Sequence, residues 1–161
     1  MSQLSADVVY TWLEEVKDPE IPVLSLVDLG VITDVLVQGN DVKIIMTPTF
    51  VGCPALDMMK SEITTVLKSH GVDHIDIDIS YRDPWSSDKI SEKGRQAPKK
   101  FGLAPPPSSE LFTDLDMLAN VACPRCNGTD TELRNAFGPT LCRSIHYCNS
   151  CREAFEQFKP V

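Results

Sequence analysis

The sequence predicts an α+β chain in two parts: a small α/β layer domain, with a three-stranded or larger sheet covered by helices, and then a cysteine-rich β ribbon. Three observations carry this. Apolar residues recur at helical and then at strand spacing through residues 5–81. A proline-rich stretch, Gly102-Leu103-Ala104-Pro105-Pro106-Pro107-Ser108-Ser109, breaks any regular element. Five of the six cysteines fall in the last 39 of the 161 residues. The expected division is therefore a first domain over 1–101, a linker over 102–120 and a ribbon over 121–161.

Taken in order, Val8, Val9, Trp12, Leu13 and Val16 keep helical spacing and predict an amphipathic helix over 5–17, ended by Asp18-Pro19. An irregular stretch runs to Gly30. The runs Val31 to Val37 and Val42 to Thr47 then read as two strands joined by the tight turn Gln38-Gly39-Asn40-Asp41. Leu56, Met59, Ile63, Val66, Leu67 and His70 trace one face of a second helix, with Gly71 at its C-terminal stop. Ile75, Ile77, Ile79 and Tyr81 alternate with Asp76, Asp78 and Ser80, which predicts a third strand with one buried and one wet face. A helix beginning near Ser87 is expected to be short or kinked, because it carries Gly94 and Ala97-Pro98. In the last part, Thr131 to Phe137, Arg143 to Tyr147 and Ala154 to Phe158 predict a three-stranded ribbon.

Charge is distributed unevenly. Fifteen Lys plus Arg against 23 Asp plus Glu leave a formal net charge of -8. Residues 1–85 hold 14 acidic and 5 basic side chains, whereas 121–161 hold 4 and 5. The whole molecule repels polyanions, and the ribbon forms no basic stripe, so no nucleic-acid partner is expected. The N-terminal residues lack a signal-peptide pattern, and Asp28 and Asp34 interrupt the most apolar stretch, so a cytoplasmic protein with no membrane partner is expected.

Cys123-Pro124-Arg125-Cys126 and Cys148-Asn149-Ser150-Cys151 are two C-x-x-C pairs separated by 21 residues. Each pair turns two sulfurs toward one point, and two such knuckles supply the tetrahedron that structural zinc takes without strain. A domain of about 40 residues also needs such a staple, because it buries too little apolar surface to fold unaided. Zinc held by Cys123, Cys126, Cys148 and Cys151 is the favoured reading. Disulfides require an oxidising compartment, a redox C-x-x-C requires a thioredoxin-like context, and an iron-sulfur cluster on the same thiolates stays open. A closed four-Cys site has no open position for catalysis, so no catalytic residue is assigned there. Arg125 and Arg152 stand beside the knuckles, where they offset the double negative charge of a four-thiolate divalent site. Cys142 reads as a buried apolar residue and His146 as a strand side chain.

Cys53 stands alone in Thr47-Pro48-Thr49-Phe50-Val51-Gly52-Cys53-Pro54-Ala55, between the second strand and the second helix. With Pro54 at the first helical position Cys53 becomes the N-cap, where free N–H groups and the helix dipole lower its pKa. That makes it a candidate thiolate for transient iron or an iron-sulfur cluster; the alternative is a structural cysteine under a loop. Asp18, Glu20, Asp28 and Thr47 are candidate supporting residues, with turn capping as the plainer role of the acidic ones. One sulfur cannot hold a cluster alone, so further ligands would come from another chain, and transfer is more plausible than storage. The chain has no H-E-x-x-H, G-x-S-x-G, P-loop or G-x-G-x-x-G pattern.

The segments Asp18-Pro19-Glu20-Ile21-Pro22, Asp28-Leu29-Gly30-Val31-Ile32 and Thr47 to Ala55 resemble the signature of the PaaD family. The resemblance continues through Trp85 and Phe101-Gly102-Leu103-Ala104-Pro105-Pro106 into both C-x-x-C pairs, covering nearly the whole chain. It implies a SufT-like iron-sulfur assembly domain followed by a zinc ribbon, with the wider family's motif cysteine falling on Cys53. It further implies an accessory that matures an iron or iron-sulfur centre of a multicomponent phenylacetyl-CoA epoxidase in aerobic phenylacetate catabolism. The alternative is a noncatalytic subunit that binds and stabilises the oxygenase. The partners implied are the oxygenase and reductase subunits, and a homodimer is a further assembly to be tested.

Overall fold

The structure is a computed structural model that describes residues 4–106, 116–119 and 121–159. It is a mixed α+β chain whose compact units are 1–85 and 86–161. The expected division at 101/102 therefore lies sixteen residues too late: residues 86–101 pack with the second unit.

In the first unit α1 spans Ala6–Leu13. Ser5 caps it, accepting the Val8 N–H on its side chain at 3.4 Å. This helix is shorter at its C-terminal end than the periodicity predicts. The chain then makes an irregular passage whose apolar members Ile21, Leu24, Leu26 and Leu29 are all buried. Strands β1 (Ile32–Gln38) and β2 (Asp41–Met46) form an antiparallel hairpin, with Gly39 supplying the positive φ of its turn. Helix α2 (Leu56–Ser69) crosses back, so β3 (His74–Ile79) joins β2 in parallel and the sheet order is β1-β2-β3. Gly71, at φ +85°, follows the helix as its stop.

Val35, Val42, Ile44 and Met46 project from the sheet into a core shared with Val9 and Leu13 of α1 and Met59, Ile63 and Leu67 of α2. Trp85 closes the unit, nearly fully buried, with its Nε1–H donated to the Leu29 carbonyl at 2.9 Å. The strict alternation of β3 is present, but its isoleucines are only half-buried. An edge strand has a sheet neighbour on one side only, so the apolar face predicted as buried is partly open. On the other face Lys43 bridges Asp76 and Asp78 at 3.1 and 2.6 Å.

The second unit begins with a single 3-10 turn, Ser87–Lys89, and helix α3 (Glu92–Lys100). Ser91 caps α3 through the Gly94 N–H at 2.9 Å, and the helix runs through Pro98 rather than breaking there. Pro98 lacks the N–H that would reach Gly94, and both residues are buried. Arg95 holds this region together by donating to the Ser87 carbonyl at 2.8 Å and the Pro106 carbonyl at 3.2 Å. Strand β4 (Leu103–Ala104) then pairs in parallel with the last strand. The ribbon is consequently four-stranded, in the order β4-β7-β6-β5, with β5 at Thr131–Asn135, β6 at Arg143–Cys148 and β7 at Glu153–Phe158. Part of the expected linker is thus a strand, and Asp116–Ala119 is one helical turn. Residues 107–115 and 120 of that linker lie outside the described residues.

Candidate metal centre and the Cys53 loop

The first C-x-x-C knuckle precedes β5 and the second is the turn joining β6 and β7; the antiparallel pairing of β5 with β6, with Thr131 opposite Cys148, brings the two together. Backbone hydrogen bonds fix the first knuckle: Cys123 N–H donates to the Gly128 carbonyl and Asn127 N–H to the Cys123 carbonyl, both at 2.9 Å. The residue after the second cysteine of each pair, Asn127 and Arg152, adopts the left-handed region at φ 59° and 60°. These are the only such non-glycine residues among those described. Two knuckles of the same backbone shape therefore face each other.

The sulfurs of Cys123, Cys126, Cys148 and Cys151 all lie within 4.8 Å of one another. Across the knuckles, Cys123 Sγ is 3.7 Å from Cys151 Sγ and Cys126 Sγ is 3.6 Å from Cys148 Sγ. A tetrahedron with zinc-sulfur bonds of about 2.3 Å has edges of about 3.8 Å, so the sulfur set fits such an ion. Cys123 and Cys148 are fully buried, Cys126 is exposed and Cys151 half-buried. The centre therefore has a dry side and a wet side.

Neighbouring thiols that titrate together are driven apart in pKa. Cys148 is pulled down to about 7, first by the Cys151 backbone N–H, with the Ser150 N–H assisting. Cys151 is pushed up to about 12, first by desolvation and then by the neighbouring sulfurs. Cys126 is also raised: the Gly128 N–H favours its thiolate most strongly, but desolvation and the Cys148 and Cys123 sulfurs outweigh it. Cys148 thus ionises easily, whereas Cys126 and Cys151 hold their protons until a divalent cation displaces them.

The cluster is also structural in the plain sense. Among the described residues the buried core around it holds Ala104, Val121, Cys123, Cys148 and Phe155, two of which are themselves candidate ligands. His146 is not among the clustered groups; it is fully buried on β6, stacked on Phe155, with Nε2 2.9 Å from Ser144 Oγ. Cys142 is buried with its sulfur 3.0 Å from Thr140 Oγ1. Arg125 and Arg152 are both exposed. Sequence reasoning missed Gly128, whose N–H reaches Cys126 Sγ at 3.3 Å; its signal was a glycine two residues beyond the knuckle.

In the first unit, Gly52 at φ +79° turns the loop so that Val51 is 84% exposed and Cys53 is half-buried. The helix starts two residues later than expected, with Ala55 as N-cap and α2 beginning at Leu56. Cys53 is therefore not the N-cap, and its carbonyl accepts the Leu56 N–H at 3.3 Å. Its thiol is raised rather than lowered. Desolvation is the largest cause and the Glu20 and Asp18 charges add to it, against the Ala55 and Leu56 N–H groups that favour the thiolate. The helix-start N–H groups favour the thiolate, as the sequence predicts, but burial and two carboxylates outweigh them.

Asp18 and Glu20 thus approach Cys53 in space. Asp18 is nearly buried and accepts the N–H groups of Glu20 and Ile21 on Oδ1, both at 2.8 Å. It is a buried turn cap. Asp28 accepts from Ser25 Oγ at 2.9 Å while its own N–H returns to that oxygen at 3.0 Å, which closes a separate turn. Thr47 is buried where its N–H donates to the Val31 carbonyl at 2.8 Å. No helix among the described residues is long and apolar enough to cross a membrane.

Comparison with known proteins adds to this geometry. A family described as "Iron-sulfur cluster assembly protein" matches residues 6–77, and one described as "PaaD zinc beta ribbon domain" matches residues 107–159. An Escherichia coli (strain K12) protein, named as a putative subunit of 1,2-phenylacetyl-CoA epoxidase, is 32% identical over 95% of this chain and 92% of its own length. An "Fe-S protein maturation auxiliary factor" of Porphyromonas gingivalis is 37% identical over 56% of this chain and 87% of that protein. Among solved structures, a domain of unknown function from Bacillus anthracis aligns with a TM-score of 0.54 and 32% identity, over 57% of this chain and 89% of its own. A conserved hypothetical protein from Thermotoga maritima aligns with a TM-score of 0.52 and 30% identity, over 63% and 99%. The likeness to the Escherichia coli protein spans nearly all of both chains, and the two matched segments occur in the order of the two candidate sites. On these grounds the chain belongs to the PaaD family, with an iron-sulfur assembly domain ahead of a zinc ribbon.

Proposed function

We propose that this protein is a cytoplasmic accessory that matures the iron or iron-sulfur centre of a multicomponent phenylacetyl-CoA epoxidase. The observation that carries the proposal is the pairing, in one chain, of an iron-sulfur assembly domain with a ribbon whose four sulfurs lie at tetrahedral spacing. Relatives named as maturation auxiliary factors match about half of the chain, whereas the relative named as part of the epoxidase matches nearly all of it. The first likeness supports the type of task and the second its client, the oxygenase and reductase subunits.

Cys123, Cys126, Cys148 and Cys151 would hold zinc, which supplies shape rather than chemistry when bound. Cys53 is the cargo ligand. Its thiol, kept protonated by burial and by Glu20 and Asp18, releases one proton to solvent as a sulfur-iron bond forms. A protonated resting thiol suits brief custody, since reprotonation favours release of iron. Because Cys53 is the one cysteine of the first unit, a cluster would need ligands from a second copy or from the client.

The test is anaerobic loading of the purified protein with ferrous iron and sulfide, followed by transfer to apo-reductase. Wild-type protein should restore the client's visible absorption and Cys53→Ser should not. A second reading makes the chain a noncatalytic subunit that stabilises the oxygenase; the raised Cys53 pKa favours it, since a structural thiol behaves in that way. Co-purification with the oxygenase and full client activity after Cys53→Ala would select this second reading.

A further inference from the structure

Gly128 ties the first knuckle together through its backbone alone. Its carbonyl accepts the Cys123 N–H at 2.9 Å, and its N–H donates to Cys126 Sγ at 3.3 Å. Its φ is not among the positive values of the described residues, so nothing in its backbone conformation calls for glycine. What a side chain meets here is crowding by its neighbours. A Cβ at this position would stand 2.8 Å from Ser150 Oγ, 3.0 Å from Ser150 Cβ and 3.2 Å from Cys126 Sγ.

Two of those three contacts belong to the other knuckle. Ser150 lies between Cys148 and Cys151, in the middle of the second knuckle. A methyl group on residue 128 would therefore press one sulfur of the first knuckle and the middle of the second at the same time. Ser150 and Cys126 are both exposed, so the displacement is carried by the direct Cβ and sulfur contacts between the knuckles and not by a packed interior.

We infer that Gly128 is a positioning residue of the four-sulfur centre: its missing side chain lets the two knuckles close until Cys126 Sγ and Cys148 Sγ stand 3.6 Å apart. The inference rests on the reading of the four cysteines as one metal centre. It assigns specificity of spacing to a residue that is not itself a ligand, in the manner of the outer partners that orient metal ligands elsewhere.

The test is a double-mutant cycle on the full-length chain with cobalt(II) as the probe, read by thiolate-to-cobalt charge-transfer absorption and by competition with a chelator. The four proteins are wild type, Gly128→Ala, Ser150→Gly and the double variant. Gly128→Ala should lose about 10–100-fold in cobalt affinity, and its charge-transfer bands should shift. In the Ser150→Gly background most of that loss should disappear, because two of the three crowding atoms are gone and only the 3.2 Å approach to Cys126 remains. Unspecific damage to the ribbon would not be rescued by removing a second side chain. Wild-type affinity in Gly128→Ala, an equal loss in both backgrounds, or a double variant that fails to fold or bind would each overturn the inference. If wild type itself shows no thiolate-to-cobalt bands, the metal reading fails before Gly128 is tested, so the two failures are distinguishable.

Discussion

Stripping the metal from the ribbon should unfold it. A structural four-thiolate zinc site contributes about 10–16 kcal/mol of apparent binding free energy at neutral pH, whereas an entire domain has a stability of about 5–15 kcal/mol. In this ribbon the apolar core beside the sulfurs is Ala104, Val121 and Phe155, the other two buried members being Cys123 and Cys148. The metal term is thus at least as large as the margin it supports. Amide hydrogen exchange after treatment with a strong chelator is the direct assay. Protection in β6 and β7 should fall to the level of an open chain, while Ile44 in β2 and Ile63 and Leu67 in α2, whose core contains none of the four cysteines, should stay protected. Trp12 and Trp85 both belong to the first unit, so indole fluorescence gives an independent reading of that unit. Readdition of zinc should restore ribbon protection, more completely as pH rises, because each ligand must lose its proton to bind. Undiminished protection of β6 and β7 in metal-free protein would refute the reasoning.

Two further outcomes concern the Cys53 loop. Alkylation of Cys53 should be slow at neutral pH and should accelerate through a midpoint above the ordinary 9.0, followed by peptide mass spectrometry; a midpoint below 9.0 would contradict the electrostatics. The corresponding stability is fully present below the unfolded thiol value and is lost as pH rises through the higher folded one, so Cys53→Ala should flatten the alkaline limb of a stability profile. Asp18→Asn keeps an acceptor for the Glu20 and Ile21 N–H groups while removing a charge, so the alkylation midpoint should fall with little loss of stability. Asp18→Ala leaves both N–H groups without that acceptor and should cost about 2–4 kcal/mol by denaturant titration; equal stability of the two variants would show that the cap is dispensable.

Features set by local chemistry are readable in the sequence. The knuckles announce themselves through two C-x-x-C pairs, α2 through the spacing of Met59, Ile63 and Leu67, and the hairpin through Gly39. Contacts between distant segments are not readable. Leu103–Ala104 is too short to carry a periodicity, and it becomes a strand only because Glu156 and Gln157 of β7 present a parallel edge to it. The unit boundary falls at residue 85 because Trp85 is anchored at Leu29 and Arg95 reaches both Ser87 and Pro106, pairings fixed in three dimensions. The Cys53 thiol departs from expectation for the same reason. Pro54 signals a helix start, but Ala55 is the cap, and the burial and carboxylates that raise the thiol come from the fold around it.

The most direct measurement of the claim that this chain delivers iron is the iron content of the epoxidase subunits after co-expression with it. Oxygenase and reductase purified from cells carrying the wild-type chain should contain more iron per subunit than those from cells lacking it, and Cys53→Ser should behave like the absent chain despite normal abundance. Equal iron loading with wild type and Cys53→Ser would contradict a cargo role for that sulfur.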